Sequence, residues 1–130
     1  VLVALNELLP QLSNTAKALS KDELIEMIQS NSSHLLMAEE QGEFYGSLTL
    51  IVFRIPTGKR AWIEDVVTSD NARGKGIGKL LARHEIGLAT ELGAKTVDLT
   101  SRPSRNVANN LYKKLGFVQR ETNVYRYIKT

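Results

Sequence analysis

The chain has 130 residues, 17 Lys and Arg against 14 Asp and Glu, a formal net charge of +3, and no cysteine. That length suits one domain with a real core and is short for two, while the missing thiols exclude disulfides and cysteine-ligated metal sites. No apolar run approaches the roughly 20 residues that span a bilayer, so a membrane is not expected as a partner; the 42% apolar and 24% charged composition is that of an ordinary soluble protein, and the absence of cysteine fits the cytoplasmic location that is expected.

Residues 1–5 are apolar but carry no basic leader, and Glu7 soon interrupts them, so no signal peptide is expected. Leu2, Leu5, Leu8, Leu9 and Leu12 recur at helical spacing and predict a first helix that Pro10 shortens or kinks. Residues 13–15 read as a loop. Ser20 followed by Glu23 is a capping box opening a second helix with Leu24, Ile25 and Ile28 as its stripe. Strands are predicted at 34–40 and 44–54, with a turn at 41–43, and a third at 61–68 after the turn at 56–58.

A third helix carries Ile77, Leu80, Leu81, His84, Leu88 and Leu92 and ends at Gly93. A short strand is predicted at 96–100. Ser104 is the predicted cap of a fourth helix bearing Ala108, Leu111, Tyr112 and Leu115, closed by Gly116. Two further strands are predicted at 118–121 and 123–128. No repeat, low-complexity stretch or linker interrupts this order, so the expected fold class is a single mixed α/β (α+β) layer domain spanning residues 1–130.

Basic residues concentrate at 73–83 and 102–126, too few and too little interleaved with aromatics for a duplex-binding surface, so no nucleic acid partner is expected. His34 and His84 lie far apart without obvious co-ligands, so no metal site is expected. The loop Arg73-Gly74-Lys75-Gly76-Ile77-Gly78-Lys79 stands between a predicted strand and a predicted helix. Glycines there allow close backbone approach, the helix N-terminus offers free N–H groups, and basic side chains add charge, which together suit a pyrophosphate. A Walker loop is excluded because Arg73 stands where its first glycine belongs and Leu80 where Ser or Thr belongs; the dinucleotide fingerprint is excluded because Lys79 replaces its third glycine. A glycine-rich turn with solvated lysines is the plain alternative.

Two blocks carry a family resemblance. Ile63-Glu64-Asp65-Val66-Val67-Thr68 followed by Arg73-Gly74-Lys75-Gly76-Ile77-Gly78-Lys79-Leu80-Leu81 resembles the strand, pyrophosphate loop and helix of the GNAT superfamily of N-acetyltransferases, with Arg73, Gly76 and Gly78 on its Gln/Arg-x-x-Gly-x-Gly/Ala pattern. Ala108-Asn109-Asn110-Leu111-Tyr112-Lys113-Lys114-Leu115-Gly116-Phe117 is similar to its later Leu-Tyr-x-x-x-Gly-Phe block. The family's frequent asparagine falls at Arg105, with Asn106 one residue later. Members usually begin with a strand before the first helix, so either this chain lacks that strand or residues 1–4 supply a stub of it.

The resemblance implies a GNAT-like twisted mixed sheet in which two parallel strands, 61–68 and 96–100, splay apart to take the pantetheine arm of acetyl-CoA. It implies backbone contacts from Val66, Val67 and Thr68, an oxyanion donor near Val67, and coenzyme binding by Arg73, Gly74, Lys75, Gly76, Ile77, Gly78, Lys79, Asn106, Asn109 and Tyr112. Glu64, alternating with Asp65 across the sheet, is the expected base through water, against the reading of a solvated strand carboxylate. Tyr112 is the expected acid for the departing thiolate, against a core tyrosine sharing its stripe with Ala108 and Leu115. Arg102 and Arg105 suit coenzyme phosphate, an acidic acceptor or plain solvation.

The expected activity is transfer of acetyl from acetyl-CoA to a primary amine by direct attack, which the absence of a cysteine nucleophile favours. The alternative is a non-catalytic acyl-CoA-binding or sensor module. A small molecule or peptide amine is the expected acceptor, and its identity is not written in these residues. The segment Ile-Glu-Asp-Val-Val is also similar to the strand of glucosamine-6-phosphate N-acetyltransferases, but the later blocks do not follow that subfamily. Tyr125 and Tyr127, on one face of the predicted last strand, suit a wall for the acceptor, contact with a second copy in a homodimer, or a plain edge strand.

Overall fold

The computed structural model describes residues 1–13, 15 and 17–129; Asn14, in the predicted loop 13–15, lies outside the described residues. Two compact units divide the chain, Val1–Thr100 and Ser101–Thr130. The first contains α1 (Leu2–Leu12), α2 (Lys21–Gln29), β1 (Ser33–Glu40), β2 (Glu43–Ile55), β3 (Gly58–Thr68), a 3-10 turn (Asp70–Ala72), α3 (Ile77–Glu91) and β4 (Thr96–Asp98); the second contains α4 (Asn106–Lys114).

The four strands form one sheet in the order β1-β2-β3-β4, antiparallel except for the parallel β3–β4 pair. Alternation along β2 and β3 puts Leu48, Leu50, Ala61 and Ile63 on a face where none is more than 3% exposed. Helix α1 begins at Leu2, so residues 1–4 do not supply a strand stub: Leu5 and Leu8 sit three apart on its buried face, and helix formation there buries both. Pro10 neither ends nor replaces that helix; it falls in the last turn, and Ser13 N–H closes onto Leu9 O at 3.0 Å. The Asn6 amide donates to Leu19 O (3.0 Å) and accepts from Leu19 N–H (2.7 Å), fastening the end of the α1–α2 connection.

At α2 the predicted capping box is present, with Ser20 Oγ accepting from Glu23 N–H and Glu23 Oε1 accepting from Ser20 N–H. Those bonds hold the Glu23 carboxyl below its ordinary range. Of the predicted stripe only Leu24 is buried; Ile25 and Ile28 face outward. Helix α3 also differs from expectation. Leu80 and His84 are exposed, and the buried face is Leu81, Ala82, Glu85 and Ala89. Small alanines let the helix lie close on the sheet, and that rotation carries a glutamate into the core.

In the second unit, Gly116 follows α4 as expected, in a left-handed conformation (φ 101°). Ser104 is not the cap; Arg105 occupies that position without a side-chain hydrogen bond. The strands predicted at 118–121 and 123–128 are absent from the described residues, and Val118, Val124, Tyr125, Tyr127 and Ile128 are each at least 70% exposed. Alternating β-branched and aromatic residues express a preference for a pleated surface, which becomes a strand only when a ladder partner is present.

Glu85 is 0% exposed, and neither carboxylate oxygen has a hydrogen-bond partner. Burial pushes its carboxyl up from 4.5 to about 7. Between those values the folded chain keeps a proton that the unfolded chain has released, so stability is full below the lower value and falls as pH rises through the upper one. Thermal unfolding between pH 5 and 8.5 should therefore show a loss on the order of 3 kcal/mol, and Glu85→Gln, which cannot ionise, should flatten the curve. A Glu85→Gln protein that keeps the parent's pH dependence would place its origin elsewhere.

Candidate functional site

The parallel ladder between β3 and β4 has three register pairs, Arg60–Thr96, Ala61–Val97 and Trp62–Asp98. Strand β3 runs on to Thr68, whereas β4 ends at Asp98, short of the predicted strand 96–100. Residues 63–68 therefore stay paired with β2 on one side and have no strand on the other among the described residues. A strand edge open in this way presents main-chain donors and acceptors to an extended ligand, as a sheet edge does to a peptide.

A bulge lies in the same stretch. Thr49 pairs with Glu64 and Ser47 with Val67, so the single residue Leu48 opposes both Asp65 and Val66. Asp65 takes φ 51°, a left-handed conformation that aspartate tolerates better than most residues. The extra residue breaks the expected alternation: Glu64 and Asp65 are both exposed, and Val67 turns inward at 5% exposure. Glu64 is not left loose, since Trp62 Nε1–H donates to its Oε1 at 2.6 Å. That bond was not foreseen, although residues two apart on a strand share a face.

Beyond β3, Ser69 N–H donates to Tyr45 O and its hydroxyl accepts from Asn71 N–H, which starts the 3-10 turn. Gln11 of α1 accepts from Asp70 N–H at 3.0 Å. Gly74 (φ 82°) and Gly76 (φ 73°) then take the left-handed conformation that the loop requires. Gly76 is the N-cap of α3, and Leu80 N–H makes the first intrahelical bond to its carbonyl at 3.0 Å, so the N–H groups of Ile77, Gly78 and Lys79 have no intrahelical acceptor. No side chain caps this end and no acidic residue stands in the first turn. Arg73 is ion-paired with Asp70 (3.0 Å, both exposed), Lys75 Nζ lies 4.4 Å from the Tyr45 ring centroid, and Lys79 is exposed. These groups give a helix N-terminus, donors and positive charge in one place, an arrangement that favours a phosphate-bearing ligand.

Gly46 brings the two features together. A Cβ placed there would meet Val67 O at 2.9 Å, Ile77 Cγ2 at 3.0 Å and Leu81 Cδ1 at 3.2 Å. The first turn of α3 thus rests on β2 beside the bulged end of β3, and the predicted residues Val66, Val67, Thr68 and Arg73 through Lys79 belong to one neighbourhood of the first unit.

In the second unit Tyr112 is 9% exposed, with its ring edge-on to Phe117 (5.8 Å between centroids, 68°) and its carbonyl accepting Phe117 N–H. Asn109 Nδ2 donates to Arg102 O at 2.9 Å, closing the loop ahead of α4, while Asn106 is the first helical residue. Arg102 and Arg105 are exposed. No group of three or more His, Cys, Asp and Glu among the described residues could hold a metal ion, and no helix is long and apolar enough to cross a membrane.

A family model described as the acetyltransferase (GNAT) family matches residues 3–117. YhfO of Bacillus subtilis (strain 168), an uncharacterized N-acetyltransferase, is 31% identical over 102 residues, 77% of this chain and 68% of that protein. The solved structure of a candidate acetyltransferase from Agrobacterium tumefaciens str. C58 is similar with a TM-score of 0.88 and 27% identity, covering 98% of this chain and 93% of that one. Glucosamine-6-phosphate N-acetyltransferase from Arabidopsis thaliana gives a TM-score of 0.83 at 21% identity, covering 99% and 95%, a likeness of fold.

The close contact at Gly46 generates a measurement. Gly46→Ala should destabilise the chain by about 1–3 kcal/mol, the usual range for overpacking a core, because the backbone oxygen of Val67 cannot swing away as a flexible side chain would. Denaturant unfolding checks it, and a neutral substitution would mean that α3 lies farther from β2.

Proposed function

The chain belongs to the GNAT acetyltransferase family, and from that premise we propose that it moves an acetyl group from acetyl-CoA to a primary amine by direct attack. One observation carries the proposal: the β3–β4 ladder stops at Trp62 and Asp98 while β3 runs on to Thr68, beside a basic, uncapped helix N-terminus. An elongated ligand with a polyphosphate head and an amide-bearing arm matches a phosphate-favouring loop that leads into an open strand edge.

In this reading the N–H groups of Ile77, Gly78 and Lys79 hold the pyrophosphate, with Gly74 and Gly76 allowing close approach and Arg73, Lys75 and Lys79 supplying charge. Arg73 is paired with Asp70 at the surface and Lys75 lies over the Tyr45 ring, so both cations stand at the loop. Val66, Val67 and Thr68 offer main-chain groups to the pantetheine amides, and the bulge at Asp65 directs an N–H near Val67 toward the thioester oxygen. Acetyl-CoA supplies the activated acyl group.

A free amine with a lysine-like pKa near ~10.4 is mostly protonated at neutral pH, so attack needs a proton acceptor. Glu64 is assigned that role, through water, because it stands on the exposed face just before the bulge. Tyr112 is assigned the proton donor to the departing thiolate, and Asn106 and Asn109 coenzyme contacts, from their places in the second family block. The acceptor is a small-molecule or peptide amine, and thiol release from acetyl-CoA across polyamines, amino acids, aminoglycosides, amino sugars and N-terminal peptides identifies its class.

Gly76→Asp tests the cradle. Gly76 has open space where a Cβ would stand, so the fold should lose only the strain of a non-glycine residue at its positive φ, about 1–2 kcal/mol, and stay formed. The added carboxylate faces the bound phosphates and should weaken CoA binding at least tenfold by calorimetry, about 1.4 kcal/mol. Unchanged affinity would mean the phosphates bind elsewhere.

Tyr112→Phe tests the acid. The ring and its contact with Phe117 remain, so the chain should still fold, while the single-turnover rate should fall roughly 10²–10⁴-fold, the range for a lost general acid. Affinity for acetyl-CoA should change far less, since one neutral hydrogen bond contributes about 0.5–1.5 kcal/mol. A parent-like single-turnover rate would remove Tyr112 from the chemistry and leave it as a core tyrosine.

A further inference from the structure

We infer that Trp62 is a positioning residue for acetyl transfer: its indole N–H holds the Glu64 carboxylate in one orientation where β3 leaves β4. The inference rests on reading Glu64 as the base.

The two residues are anchored very differently. Trp62 is paired on both sides, with Ile51 of β2 and Asp98 of β4, and is the last residue of β3 to have a β4 partner. Glu64, two residues on and on the same face, is paired only with Thr49 and adjoins the bulge. An exposed glutamate on such a strand has three side-chain torsions, and ordering them costs free energy that every turnover would otherwise meet. The indole is a donor only. It engages Oε1 at 2.6 Å and leaves Oε2, which carries no hydrogen bond among the described residues, open to a water or an ammonium. A donor fixed by two ladders therefore gives direction to an acceptor that the backbone alone leaves free.

A purely structural role is the competing account, in which the carboxylate merely satisfies a half-buried indole N–H. The two differ in what they change. The structural account predicts lost stability with normal chemistry, and the positioning account predicts slower chemistry with coenzyme affinity intact.

The test uses the whole chain, in which Trp62 is the single tryptophan, so the indole region of a ¹⁵N–¹H spectrum holds one peak. Glu64→Ala should move that peak; an unmoved peak shows that the bond is absent and overturns the inference. The kinetic arm measures single-turnover acetylation of spermidine, kanamycin, glucosamine 6-phosphate and a lysine peptide, using the fastest. Trp62→Phe should slow it roughly tenfold, the size of one hydrogen bond to a charged group, with the acetyl-CoA Kd unchanged. In a Glu64→Gln background the same substitution should have no further effect. A Trp62→Phe rate equal to the parent's, or additive losses in the double variant, overturns the positioning role alone. A Glu64→Gln rate equal to the parent's sinks Glu64 as the base, and no turnover of any amine sinks acetyl transfer; in either case the inference falls with the reading it rests on.

Discussion

Three register pairs of parallel ladder join β3 to β4, and the proposed chemistry depends on the ladder stopping there. A longer ladder would use the main-chain groups of residues 63–68 on both sides, and a ligand would find only side chains. A shorter one would release β4 from the sheet edge altogether. Because pairing ends at Trp62 and Asp98, the same strand is structural over its first half and, under the proposed function, a receptor over its second. The bulge at Asp65 adds a local change of direction within the receptor half. Gly46 then lets α3 come down close enough that its bare N-terminus lies beside that half.

The element order and the glycine loop could be read from sequence because their causes are local. A capping box, a turn glycine or a helix N-terminus requires particular residues within a few positions of itself. The early end of the β3–β4 ladder was anticipated only through the family resemblance, and the bulge was not foreseen, because register is settled by two strands together. The tail failed for a related reason: Val124, Tyr125 and Tyr127 have strand chemistry, but a ladder partner is not encoded in the segment itself. On α3, choosing the large apolar residues put Leu80 and His84 inward, whereas the approach of the sheet favoured Ala82 and Ala89. At the site, contacts between distant residues such as Lys75 and Tyr45 left no local trace. The Trp62–Glu64 bond did leave one, in the two-residue spacing.

Two glutamates show how placement divides carboxylates between use and cost. Glu64 is exposed, yet it is held by a neutral donor and placed at an open edge. Glu85 is enclosed and its carboxylate has no hydrogen-bond partner among the described residues, so its charged form is penalised wherever the chain is folded. The basic residues of the glycine loop follow the first pattern. They stay at the surface, Arg73 beside the Asp70 carboxylate and Lys75 over the Tyr45 ring.

The order of the sheet also carries a history of assembly. Strands β1, β2 and β3 follow one another as an antiparallel meander with short turns, so their ladders join residues close in sequence and close early. The β3–β4 pair must wait for a long crossover containing α3, and it then adds only three pairs. Because β3 runs on past the end of that ladder, an extended ligand laid along residues 63–68 would add to an edge already open, and the three existing pairs need not break.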